Sequence, residues 1–190
     1  IGLVGSEMCI RDSCTSNLPD PTIGPGQDTQ ADDHFNTVLY TGNGSTQSIT
    51  GVGFQPDWLW FKSRSNADPH EIIDSVRGAT QRLRPNANDA EYTRSSGDGF
   101  VSIDSDGFTL NGDGGGGQVN GSSRTYASWN WKAGGSASSN SNGTVTSQVS
   151  ANTAAGFSIC TFTGGSAGYT VGHGLLAAPE IIFTLSLIHI

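Results

Sequence analysis

The chain has few charged residues, and cations are the scarcer kind. Nine Lys and Arg stand against 17 Asp and Glu in 190 residues, which gives a formal net charge of -8. Nucleic-acid binding depends on clustered Lys and Arg, so this composition excludes a nucleic-acid partner. No apolar run approaches the roughly 20 residues of a membrane-spanning helix, and we therefore expect no membrane insertion.

Cysteine is also scarce, with three in the whole chain. That number is too small for the disulfide framework of a small secreted domain. Cys14 and Cys160 could pair, but nothing in the composition requires it. The cysteines therefore do not indicate in which cellular or extracellular compartment the protein is found.

The two ends of the chain can be read as translations of opposite strands of one DNA sequence. Residues 7–12 can be encoded by GAG ATG TGT ATA AGA GAC, with AG beginning the next codon. The reverse complement reads in frame as Leu-Ser-Leu-Ile-His-Ile, which is residues 185–190. This DNA resembles a transposon end that is used to tag sequencing libraries. We expect residues 1–13 and 185–190 to be sequencing-adaptor artefact without function.

Glycine, by contrast, is abundant, with 27 residues in the chain, and hydrophobic residues make up 34%. Many turn formers and few long helix-favouring side chains favour short strands joined by tight turns. The composition therefore predicts an all-β fold, either a β-sandwich or a β-barrel, and we expect an antiparallel β-sandwich. Residues 14–34 are rich in Pro and Gly and indicate a linker or arm. The predicted strands are 35–41, 47–50, 58–61, 100–103, 107–110, 126–131, 144–149 and 157–163, with 71–76 a strand or one helical turn and with loops at 84–98 and 133–143.

One pattern occurs twice at an offset of 121 to 123 residues. Residues 35–42 return as 157–164, and the Gly-x-Gly of 51–53 returns at 172–174. Pro-Asp and then an apolar run at 56–61 match Pro-Glu and an apolar run at 179–183. We expect residues 35–156 to form one sandwich module. Residues 157–184 are either the start of a second, truncated copy or closing strands of the same sandwich.

Six short motifs occur in order along the chain. They are DHFNT at 33–37, SITGVGFQPD at 48–57, DSVRGA at 74–79, DSDGF at 104–108, WNWKAG at 129–134 and GHGL at 172–175. Together they resemble an uncharacterised β-rich domain of structural and tail-fibre-like proteins of marine bacteriophages, over nearly all of residues 31–183. Trp58 and Trp60 depart from it, because smaller aliphatic residues are expected there. The resemblance implies a jelly-roll or concanavalin-like lectin type of sandwich, and it carries over no catalytic residue.

The tryptophans occur as Trp58-x-Trp60 and Trp129-x-Trp131, so each pair lies on one face of its strand. Such a face can stack on sugar rings, or it can be core. Burial of about 150–250 Å² per Trp would give a Gly-rich chain much of its hydrophobic stabilisation. We therefore expect the tryptophans to be part of the hydrophobic core. We also expect the strand at 58–61 to be buried on both faces.

Metal and catalytic motifs are absent from the sequence. Asp104-x-Asp106-Gly107 lacks the later ligands of an EF-hand, and Asp113 lies in a glycine-aspartate pattern that occurs once. We therefore expect these Asp residues to form turns, and we predict no catalytic, cofactor-binding or metal-binding residue. A pair of carboxylates of the kind that glycosidases use remains an alternative, because the two residues of such a pair need not be close in the sequence.

These features predict a non-enzymatic module of a phage virion, in a tail fibre or another appendage. Its role would be structural or would include binding of a host-surface glycan through loops. Its partners would be other virion proteins, further copies of itself, or that glycan. Two alternatives remain open: a tail-associated glycan depolymerase, and a secreted or cell-surface bacterial adhesin module.

Overall fold

A computed structural model describes residues 30–95, 98–112, 118–165 and 168–186. The expected all-β fold is confirmed, and the strand pairs are antiparallel. A single 3-10 turn at Ala31–Asp33 is the one helical element in these ranges. The strands are β1 (Phe35–Thr41), β2 (Gln47–Thr50), β3 (Trp58–Ser63), β4 (Glu71–Asp74), β5 (Gln81–Arg82), β6 (Tyr92–Thr93), β7 (Phe100–Asp104), β8 (Gly107–Leu110), β9 (Thr125–Trp131), β10 (Ser138–Asn140), β11 (Ser147–Asn152) and β12 (Phe157–Phe162).

Two open sheets form the main body. Sheet 1 has the strand order β1-β9-β3-β4, and sheet 2 has the order β2-β8-β7. The short pair β5-β6 extends from sheet 1, where the backbones of Ile72 and Leu83 exchange hydrogen bonds. A third sheet has the order β10-β11-β12. The arrangement resembles a sandwich and does not close into a barrel.

The hydrophobic core lies between sheets 1 and 2. Phe61 of sheet 1 meets Phe108 of sheet 2 with ring centroids 5.1 Å apart, and Tyr40 lies 5.9 Å from the same Phe108 ring. Each fully buried Phe side chain contributes about 1.5–3 kcal/mol. The remaining buried members of this cluster are Val52, Phe54, Leu59, Ile73, Phe100, Leu110, Val119 and Tyr126.

The β7–β8 turn explains the Asp-rich motif at 104–107. Gly107 has φ +143°, and a Cβ there would collide with the carbonyl of Ile49 on β2, so only glycine fits. The Asp106 carboxylate accepts the amides of Gly51 and Gly53, at 3.1 and 2.6 Å, and these bonds lower the pKa of Asp106. Asp104 accepts the hydroxyl of Thr109. These carboxylates therefore join the turn to its neighbours.

Three local expectations were wrong. The strand β3 is not buried on both faces, because its side chains alternate between buried and half-buried. The region predicted as loop at 84–98 contains β6, and the one at 133–143 contains β10. Both strands are short, and neither has the apolar alternation that a sequence pattern needs. The ambiguous segment at 71–76 begins as strand β4.

The repeated pattern has a partial counterpart in the structure. β1 begins at Phe35 and β12 at Phe157, and Gly53 and Gly174 both have positive φ, +88° and +74°. The apolar run at 181–183, which matches β3, is not a strand and is 73–74% exposed. The division into one or two copies stays a prediction. Residues 1–29, which contain most of the expected arm, lie outside the described ranges.

Candidate functional site

All four tryptophans of the chain lie on the outer face of sheet 1, away from the core. Trp58 pairs with Trp131 across β3 and β9, and Trp60 pairs with Trp129 in the same way. The alternate residues of β3, Leu59 and Phe61, face the core and are fully buried. Phe35 extends this surface on β1, opposite Trp131. We call the surface formed by the four tryptophans and Phe35 the aromatic face.

The rings of the aromatic face hold one another in place. Trp58 lies 4.6 Å from Trp131 at an interplanar angle of 62°, and 5.8 Å from Trp60 at 78°. Trp60 in turn lies 6.2 Å from Trp129 at 75°. Such edge-to-face contacts are each worth about 0.5–1.5 kcal/mol beyond burial. The tryptophans are therefore ordered although each remains partly exposed to solvent.

One end of the aromatic face is apolar. The Phe35 ring is 4.7 Å from Trp131 and remains 40% exposed. Phe157 of β12 approaches from the third sheet, with its ring 6.1 Å from both Trp58 and Trp131. β12 thus borders this end of the surface.

The other end is polar. The Trp60 indole donates to Nδ1 of His70 at 3.0 Å. Burial lowers the pKa of His70, and the ammonium group of Lys62 lowers it further, so that the ring stays neutral and can accept this bond. Between Leu39 and Lys62 the outer face of sheet 1 has only the small, buried Ala127.

The aromatic face also offers hydrogen-bond donors. Among the described residues, the indole nitrogens of Trp58, Trp129 and Trp131 have no acceptor, and none of them is a buried unsatisfied atom. An indole N–H is a donor only, so these groups point to an acceptor outside the protein, water or a ligand. The surface combines apolar rings with unused donors.

The expectation that the tryptophans form the core was wrong. The residues that alternate with them on β9, Ser128 and Asn130, are fully buried. The Asn130 amide nitrogen donates to the carbonyl of Asn36 at 3.1 Å and to Ser128 Oγ at 3.1 Å, so its N–H groups are satisfied inside the sheet. The Oδ1 atom of Asn130 is buried and accepts no hydrogen bond from the described residues. The core itself is filled by Phe, Tyr, Leu and Ile from both sheets.

A second polar cluster lies where β4 meets β5 and β6. The Glu71 carboxylate is 1% exposed and accepts the Tyr92 hydroxyl and Arg84 Nε, with Arg82 Nε 3.7 Å away. Burial raises the pKa of Glu71, while Tyr92 and the arginines lower it in part. An open pocket of about 530 Å³ adjoins this cluster. Its lining residues are Arg84, Asn88, Asp89, Ala90, Glu91 and Tyr92.

The carboxylates of this pocket are engaged by cations. Asp89 accepts Arg84 Nη1 at 3.0 Å, and Glu91 accepts Arg77 Nη1 at 2.9 Å. In the described ranges, no three His, Cys, Asp or Glu side chains form a group that could hold a metal ion. Asp113 lies outside those ranges.

Other residues that the sequence singled out are dispersed. His34 is beside Asn152, and His173 accepts the amide of Leu175 within its own turn. Cys160 is a free thiol whose pKa is raised by burial, and Cys14 is outside the described ranges. In the part of the chain that the structure describes, no helix is both long and apolar enough to span a membrane.

Residues 30–188 match one family model, which is described as Domain of unknown function (DUF7483). Searches of curated proteins and of solved structures found no match for the chain. The matched region contains both sheets, the aromatic face and β12. Because it covers most of the 190 residues, the chain belongs to the DUF7483 family.

Proposed function

We propose that this chain is a non-enzymatic module that binds a glycan on its aromatic face. The observation that carries the proposal is the position of all four tryptophans on the outer face of sheet 1, outside the core. Tryptophan has the largest apolar surface of any side chain, and leaving it partly exposed forgoes stabilisation. Ordered apolar patches on soluble domains mark interaction sites.

The chemistry of the surface fits a sugar chain. The faces of sugar rings carry C–H groups that pack on aromatic rings, while their hydroxyl oxygens can accept the free indole N–H groups. Along β3 the side chains of Trp58, Trp60 and Lys62 form three rows that span about 13 Å. A surface of that length suits several linked sugar rings better than a single one.

The proposed setting is a phage virion, in a tail fibre or related appendage, with the glycan on the host surface. Support for this setting comes from the resemblance of the six sequence motifs. The proposed fold type is a jelly-roll or concanavalin-like lectin sandwich. Two antiparallel sheets that face each other across one core support this type.

The proposal is tested on an array of bacterial surface glycans with the full chain and two variants. Trp129→Ala removes a central ring of the aromatic face. We expect it to weaken binding to every bound glycan by about tenfold or more, as truncation of a buried Trp anchor does in other interfaces. Tyr169→Ala is the matched control, because Tyr169 is an exposed aromatic residue that contacts Phe162 outside the aromatic face. It should leave binding unchanged.

Two outcomes count against the proposal. If the chain binds no glycan on the array, or if Trp129→Ala binds as the parent does, the aromatic face is not a glycan site. Release of new reducing ends from a bound polysaccharide would instead favour the depolymerase alternative.

A further inference from the structure

On the outer face of sheet 1, the positions that follow Trp60 along β3 are basic. Lys62 follows Trp60 by two residues on β3 and therefore points to the same side of the sheet. The amide of Arg64 still donates to the carbonyl of Thr125 at 2.7 Å, so the ladder continues beyond β3. Alternation places the exposed side chain of Arg64 on this side as well.

These two cations are unusual because they have no acidic partner among the described residues. Of the eight Lys and Arg in the described ranges, five form ion pairs with carboxylates. Within the same ranges, Lys62, Arg64 and Lys132 form none. In a chain with a net charge of -8, two of the three unpaired cations border one surface.

Nearby carboxylates do not neutralise this basic end. Asp68, the closest in sequence, accepts Arg124 Nη1 at 2.8 Å. Asp74 lies opposite Trp58 and is held by Arg77 at 2.6 Å. The exposed Asp32 precedes β1 at the Phe35 end of the face. The surface is thus basic at the Lys62 end.

We propose that the glycan bound by the aromatic face is acidic, and that Lys62 and Arg64 bind its anionic groups while Trp60 and Trp129 pack on its rings. This inference rests on the proposed function. An ammonium group and a guanidinium group bind carboxylate, sulfate or phosphate through charge-assisted hydrogen bonds, which are stronger than bonds to neutral hydroxyls. The bond from Trp60 to His70 fixes the indole one same-side position before Lys62 on β3.

The test uses an array that holds neutral polysaccharides and acidic ones bearing uronate, sulfate or phosphate groups. It is probed with the full chain, with the double variant Lys62→Gln/Arg64→Gln and with the control Lys132→Gln. Lys132 is the matched control because it is the third unpaired cation and follows β9, outside the aromatic face. Each bound polysaccharide is then titrated at low and at high salt, with polyacrylate as a sugar-free polyanion competitor.

We expect the bound polysaccharides to be acidic and the double variant to bind them about tenfold more weakly or worse, with a smaller dependence on salt. Lys132→Gln should bind as the parent does, and the separate acidic sets identify which anion is preferred. Binding to neutral polysaccharides alone, or equal binding by the double variant, overturns the inference and leaves the proposed function standing. If polyacrylate competes as strongly as an acidic polysaccharide does, binding is simple charge attraction, and the inference is also overturned. Absence of any binding by the parent chain refutes the proposed function itself.

Discussion

At the scale of single residues, Glu71 and Tyr92 connect the short strands to sheet 1. Glu71 is a buried carboxylate in contact with two guanidinium groups and one phenol. The Arg84 guanidinium also stacks on the Tyr92 ring, 4.6 Å from its centroid. Removing one member of such a buried set is costly, because the others are left unpaired away from water.

Because of Tyr92, we expect the stability of the protein to fall at alkaline pH. Burial and the bond to Glu71 raise the pKa of Tyr92 from 10.0 to about 12. The unfolded chain therefore loses this proton first, and the contribution of Tyr92 to stability is present below pH 10 and is lost as pH rises toward 12. We expect Tyr92→Phe to be less stable by about 1 kcal/mol at neutral pH and this deficit to shrink above pH 10.

Urea unfolding at a series of pH values checks this, with Tyr169→Phe as the control at an exposed tyrosine. A deficit that stays constant from neutral pH to beyond pH 10 would show that the Tyr92 proton plays no part in stability.

The same scale shows why the position of the tryptophans could not be predicted from the sequence. The run Trp129-Asn130-Trp131 predicts a strand whose apolar side chains face the core and whose polar side chain faces solvent. In β9 the arrangement is reversed. Burial of Asn130 depends on acceptors in β1, more than 90 residues away, which no local pattern reveals. Only β3 gives a hint, because Leu59 and Phe61 supply a second apolar face that can be core.

At the scale of elements, β1 is an edge strand of sheet 1 in the part of the chain that the structure describes. It ends the strand order, and its outward side chains include Phe35 and Leu39, which are 40% and 60% exposed. Natural edge strands are usually protected by Lys, Pro or a bulge, and β1 has no Lys or Pro. An unprotected apolar edge favours association with another strand.

We therefore expect the protein to associate with itself at high concentration through β1. Leu39→Lys should reduce this association, because a charge on an edge strand opposes pairing, and should change stability by no more than about 0.5 kcal/mol. Sedimentation velocity over a range of concentrations measures the effect. If the parent chain stays monomeric throughout, or if both proteins associate equally, the edge is not the contact.

Most strands could be predicted because their signal is local. β8 matches its expected bounds, and β9 and β12 differ from theirs by one residue. Gly, Asn and Asp at the turns and alternation between them provide enough information. The short β5, β6 and β10 could not be predicted, because pairing with distant residues determines them rather than propensity.

At the scale of the whole molecule, the core uses only part of the chain. Its buried members all lie between Tyr40 and Tyr126, and none comes from β10, β11 or β12. Phe157 is one link between β12 and sheet 1, through its contacts with Trp58 and Trp131. The main body therefore contains what a sandwich needs to fold.

This distribution leads to a test of the repeat. A chain that ends at residue 156 should keep a cooperative unfolding transition and lose roughly 5 °C or less of its Tm, because it keeps the whole core between sheets 1 and 2 and loses only the two contacts of Phe157 with the tryptophans of sheet 1. Thermal unfolding followed by circular dichroism measures this. Loss of the cooperative transition would show instead that residues 157–184 are closing strands of the same sandwich.

The most direct test of the central claim uses the tryptophans themselves as probes. All four lie on the aromatic face, so the tryptophan fluorescence of the chain, excited selectively over that of its tyrosines, comes from the proposed site alone. Acrylamide quenching is measured with and without a polysaccharide that the array identifies, beside one that it rejects. We predict that the bound polysaccharide protects the tryptophans from acrylamide and that the rejected one does not. Unchanged quenching at saturating polysaccharide would contradict the claim and place the glycan elsewhere on the protein.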